Sequence, residues 1–140
     1  MCTWQDLHWV DLQQARQHAP TGPGAYAVRC AKTGTPIPVY RALGTDEAGI
    51  RCFGRSTGLA VRLTTYARAA EGWRAPHAEG IRYREADYDN HGFAYTALQA
   101  AWHAFEDEAS AKDQETAWFR EYFALYGELP PLNRQGAFGR

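Results

Sequence analysis

Two charged residues of this chain stand where helical spacing places apolar neighbours. Arg62 shares a face with Leu59, Leu63 and Tyr66, because positions three and four apart on a helix lie together. Glu115 falls in the middle of the stripe Trp118, Phe119, Tyr122, Phe123 and Tyr126, whereas Glu121 lies well off it and becomes the candidate only if the register is misread. An inward arginine is placed to meet an anion; its alternative is to cover core with its stem and let the head reach water. An inward carboxylate needs a partner, a metal or a wet pocket. A negative charge near a helix start is also favoured in its own right.

Further candidates surround these two. Arg55, Arg62, Arg68, Arg74, Arg82 and Arg84, interleaved with Tyr66, Trp73 and Tyr83, form a basic rim able to contact a nucleic-acid backbone, or else a set of solvated charges balanced by nearby acids. His77, in a loop before the Arg82 strand, reads as a phosphate contact, a proton-transfer group or plain surface. His103 beside Trp102 reads as structural.

The elements that must position them are legible in outline. Residues 3–19 read as helical, with Asp11 capping a second short helix over 12–18 that Pro20 ends. A strand over 25–31 puts Tyr26, Val28 and Cys30 on one face and Arg29 on the other. Gly/Pro-rich turns flank a short strand over 39–43, with residues 44–49 as another turn. A strand over 50–53 breaks at Gly54 into a polar turn, residues 55–58, and a helix then runs to about residue 70. A loop and a strand over 81–85 come next, then a short helix followed by a strand within 93–105. The acidic run Glu106-Asp107-Glu108 reads as a solvated turn away from the site, and a helix over 112–126 ends at Gly127.

The 140 residues suit one domain, 1–140, long enough to bury a core. A net charge of −1 excludes a generally basic nucleic-acid coat but not a local basic patch. Cys2, Cys30 and Cys52 lack metal-type spacing, which argues for reduced thiols, a cytoplasmic location and no disulfide framework or zinc site. No apolar run approaches a membrane span, and nothing near Met1 has the form of a secretory signal.

In order and placement these pieces resemble the GIY-YIG nuclease superfamily over roughly residues 22–134. The first family tripeptide appears as Gly24-Ala25-Tyr26 and the second, degenerate, as Cys52-Phe53-Gly54. Arg55, Leu59, Arg62-Leu63 and Tyr66 follow at the family's positions; Glu115 resembles its metal-binding glutamate, and Asn133 ends its closing segment. The longer stretch between the tripeptides implies an inserted hairpin around residues 36–49. The resemblance implies an α/β fold, with a small central, mainly antiparallel sheet of about three strands flanked by helices. It also implies an endonuclease hydrolysing DNA phosphodiesters with Mg²⁺ or Mn²⁺ on Glu115. Tyr26 would stand near the attacking water, Arg55 and Arg62 on the phosphate, Tyr66 as a supporting hydroxyl and Asn133 as a hydrogen-bonder closing the site. The departure is Cys52, where the family carries tyrosine. A thiolate is a conceivable base, while an unpaired cysteine is commonly a small buried hydrophobe. The alternative is a catalytically impaired domain that binds nucleic acid or a protein. Without a separate DNA-reading module, a nuclease domain this small cuts with low specificity, works as a homodimer, or is delivered by a protein partner.

Overall fold

Strand β2 (Gly24–Lys32) is buried on both faces and forms the spine of the molecule, which we describe from a computed structural model covering residues 2–71 and 98–133. It pairs antiparallel with β6 (Ile50–Ser56) on one side and β7 (Leu98–Ala104) on the other. The two-residue strand β1 (Val10–Asp11) extends the sheet beyond β7, and β3 (Thr35–Pro36) pairs with the end of β2. Among the described residues three long strands therefore carry the sheet, every pairing is antiparallel, and short strands add to its margins. A separate hairpin of β4 (Val39–Arg41) and β5 (Gly44–Asp46) occupies the expected insertion, so residues 44–46 are strand where the sequence suggested only a turn.

Alternation along β2 divides the core. Tyr26, Val28 and Cys30 face helices α1 (Leu12–His18) and α2 (Leu59–Glu71), together with Cys52, Leu63 and Tyr66. Ala25 and Ala27 face helix α3 (Glu108–Tyr126), where Trp4, Phe53, Trp118, Phe119 and Tyr122 fill the layer. The small alanines leave room for these rings, and Phe53 sits among them with centroids 5.4 Å from Trp118 and 5.7 Å from Phe119. Arg29, expected on the face opposite Tyr26, Val28 and Cys30, lays its guanidinium 4.4 Å from the centre of the Trp9 ring and donates to Gln99 Oε1.

Three boundaries differ from the sequence reading. The amino-terminal segment keeps only its second expected helix, α1 over Leu12–His18, whose N-cap residue Asp11 makes no side-chain capping hydrogen bond; Trp4–Asp6 form a single 3-10 turn and Val10–Asp11 join the sheet, because pairing with β7 overrides local helical preference. β6 continues through Gly54 to Ser56, so Arg55 lies on a strand and not in a turn. α3 starts at Glu108, not 112, since Asp107 caps it by accepting from the Ser110 N–H at 2.7 Å. Glu115 therefore lies two turns inside the helix, beyond the reach of the helix-start argument. Gly127 ends α3 in the left-handed conformation at φ 71°. Among the described residues, no helix is long and apolar enough to cross a membrane. The expected strand over 81–85 and the short helix before residue 98 lie outside the described residues.

Candidate active site around strand β6

Residues 52–56 of β6 divide the candidates between the two faces of the sheet, with Tyr26, Cys52 and Tyr66 on one and Arg55 and Glu115 on the other. Tyr26 stands opposite Gly54 in the ladder and its ring lies across that glycine, so any side chain at position 54 would overlap the Tyr26 ring. Glycine is needed there for close approach. Cys52, two residues earlier on the same face, has its Sγ 3.5 Å from the Tyr66 hydroxyl, and both residues are fully buried. The thiol at position 52 and the phenol at position 66 thus pack as inner neighbours, which matches the expectation of a small buried cysteine.

Arg55 points to the other face of the sheet and meets Glu115, with Nη1 donating to Oε1 at 2.8 Å. Glu115 is 8% exposed and Glu121 is exposed, so the register that singled out Glu115 holds. The Arg55 side chain retains 29% of its exposure, so one end of this pair opens to water.

Arg62 is half-buried on the first turn of α2, beside the fully buried Leu59 and Leu63. It lines a cleft of about 360 Å³ with Ser56, Thr57, Gly58, Val61 and Thr65. Two amide donors at the start of α2 are already engaged: Leu59 N–H by the Gly22 carbonyl and Ala60 N–H by that of Pro20, each at 3.0 Å. Ser56 closes the turn by accepting from Gly58 N–H at 3.0 Å. Cationic character in this cleft therefore comes from the Arg62 guanidinium more than from the helix terminus.

Asn133 reaches the same strand from the exit segment. Its Oδ1 accepts from Phe53 N–H at 2.9 Å and its Nδ2 donates to Phe53 O at 3.0 Å, while Leu132 N–H donates to Arg51 O at 2.8 Å. The side chain expected to close the site is a main-chain clamp on β6, with those polar atoms engaged inside the protein. Arg68 is exposed on α2. His77, Arg74, Arg82, Arg84, Trp73 and Tyr83 lie outside the described residues. His103 is stacked on Phe105 at 4.4 Å.

Sequence reasoning missed three buried polar groups. Asp46 is fully buried and accepts from Ala48 N–H, Ile50 N–H and the Tyr122 hydroxyl, each at 2.9 Å. Burial first, and then the Asp46 carboxylate, push the Tyr122 hydroxyl well above the ordinary phenol range, which keeps it a donor. Gln114 exchanges hydrogen bonds with the Cys2 main chain, and Trp118 Nε1 donates to Cys2 O at 2.9 Å. Arg51 is 3% exposed and donates to Gly49 O at 2.9 Å. A carboxylate four residues before a buried strand is the one cue that pointed toward Asp46; the other two left none.

The implied divalent metal can be tested against these residues. Among those described, no three His, Cys, Asp or Glu side chains stand close enough to cage a cation. A metal at Glu115 would have one protein carboxylate, with water and substrate phosphate completing its shell, as Mg²⁺ commonly accepts. The donor set fits that arrangement and does not fit zinc or a closed calcium site. No protein-family model matches the chain, and no curated protein matches it closely enough to stand as a relative.

Proposed function

We propose that this protein is a GIY-YIG-type endonuclease that hydrolyses DNA phosphodiesters with Mg²⁺ or Mn²⁺. The observation that carries the reading is Glu115, a nearly buried carboxylate two turns inside α3, held against Arg55 on the residue that follows the Tyr26-covered Gly54. A divalent ion on Glu115 would supply positive charge to the departing oxygen. Arg62, at its cleft on the α2 side, orients the phosphate, while Arg55 serves from the α3 side of the sheet beside Glu115. The Tyr26 ring is fixed across Gly54 on the α2 side of the sheet, the side on which Arg62 also lies. Asn133 keeps residues 52–54 in register and so acts through position, not by touching the substrate.

A second reading, a binding module with little or no catalysis, draws on a specific observation: Tyr26, Cys52 and Tyr66 are all buried, so none of these three candidate groups reaches the surface of this conformation.

Nicking of supercoiled plasmid with Mg²⁺ and with Mn²⁺ separates the two. The nuclease reading expects metal-dependent nicking that falls about 100-fold or more in Arg62→Ala and in Glu115→Gln. Wild-type protein that binds DNA but never nicks it would sink that reading and leave the binding module.

A further inference from the structure

Arg55 and Glu115 present a conflict that rests on the metal reading of the site. The guanidinium already occupies Oε1 of the carboxylate proposed to hold the cation, at 2.8 Å. A guanidinium and a dication on one largely buried carboxylate repel each other across a short, poorly screened distance. Glu115 is also set within a helix packed on the sheet, whereas Arg55 ends in a long side chain with 29% of its surface open to water. Arg55 is the partner free to travel.

We propose that Arg55 is a placeholder for the metal: it neutralises Glu115 in the metal-free protein and must leave that carboxylate when a divalent cation binds. An inward carboxylate beside a layer of Trp118, Phe119 and Phe53 calls for compensating charge, and Arg55 supplies it at hydrogen-bond distance. With it, the protein folds stably before metal arrives, at the expense of metal affinity. A phosphodiester is the natural destination for the displaced side chain, since it accepts from a guanidinium in the same bidentate manner as a carboxylate. Arg55 is on this account a positioning residue whose first partner is Glu115.

The test is a Mn²⁺ titration without DNA, following the free-ion signal by electron paramagnetic resonance, on the wild type, Arg55→Gln, Glu115→Gln and the double variant. Arg55→Gln should bind Mn²⁺ at least about ten-fold more tightly than wild type, as expected when a competing cation is removed. Its thermal midpoint should be lower than wild type without metal and recover on adding Mn²⁺. If the glutamine variant does not fold, Arg55→Met, which keeps the apolar stem, takes its place. Arg55→Gln binding Mn²⁺ no more tightly than wild type, while Glu115→Gln abolishes binding in both backgrounds, overturns the placeholder and leaves the metal site standing. Mn²⁺ binding that Glu115→Gln leaves unchanged in both backgrounds overturns the metal site and the placeholder with it.

Discussion

Two carboxylates lie buried against α3, and they are held in opposite ways. Asp46 is closed by two main-chain N–H groups and a tyrosine hydroxyl, neutral donors on the β5–β6 turn, β6 and α3. Glu115 is held by a guanidinium on a long side chain, part of which reaches solvent. A carboxylate saturated by fixed neutral donors has nothing to exchange, and its work is structural: it ties the β4–β5 hairpin to the helix. One held by a mobile cation can trade that cation for another. Burial and charge alone do not separate the two carboxylates; the kind of donor does, and under the proposed function it is the arginine-held one that acts.

The contrast can be broken most directly at Asp46. Asp46→Asn turns an amide N–H₂ toward main-chain donors and should lower unfolding free energy by about 3 kcal/mol, read by urea denaturation. Glu115→Gln should lower it by less than about 1 kcal/mol, because the released Arg55 turns to water. A Glu115→Gln variant that loses as much as Asp46→Asn would erase the distinction. Tyr122→Phe sharpens it: Asp46 Oδ2 keeps the Ile50 N–H, so the loss should be about 1 kcal/mol.

The smallest effect belongs to a third carboxylate, the exposed cap Asp107. The Ser110 N–H holds its carboxyl below the ordinary value of 3.8. Its folded value is depressed, so its contribution is present above the ordinary carboxylate range and is lost as pH falls through the folded value. The gap in thermal midpoint between wild type and Asp107→Ala should be constant near neutrality and close as the pH is taken below about 4. A gap that persists in strong acid would show that the cap acts through something other than its charge.

Helical and strand periodicity report which face a residue takes, and that was enough to find Arg62, Tyr66 and Glu115 and to place Tyr26 with Val28 and Cys30. Periodicity does not report what stands across the gap. Glu115 meets a residue 60 positions away, Asp46 one 76 away and Gln114 one 112 away, so each pairing is a product of the tertiary fold. The same limit explains the amino terminus, where Val10–Asp11 look helical locally and are recruited by β7. It also explains Arg55: the glycine before it suggested a break, whereas in the sheet that glycine makes room for the Tyr26 ring and the strand runs on.

The clamp of Asn133 on Phe53 has a further consequence. One carboxamide supplies an acceptor and a donor in the spacing a neighbouring strand would offer, and Leu132 adds a true main-chain bond beside it. The outer side of β6 is thereby covered over residues 51–53, and a second molecule finds no free row of amides there to extend the sheet. A chain ending before Pro131 would lose that cover. It would present Arg51 O and both polar groups of Phe53 as a template, and self-association through that margin is its expected fate.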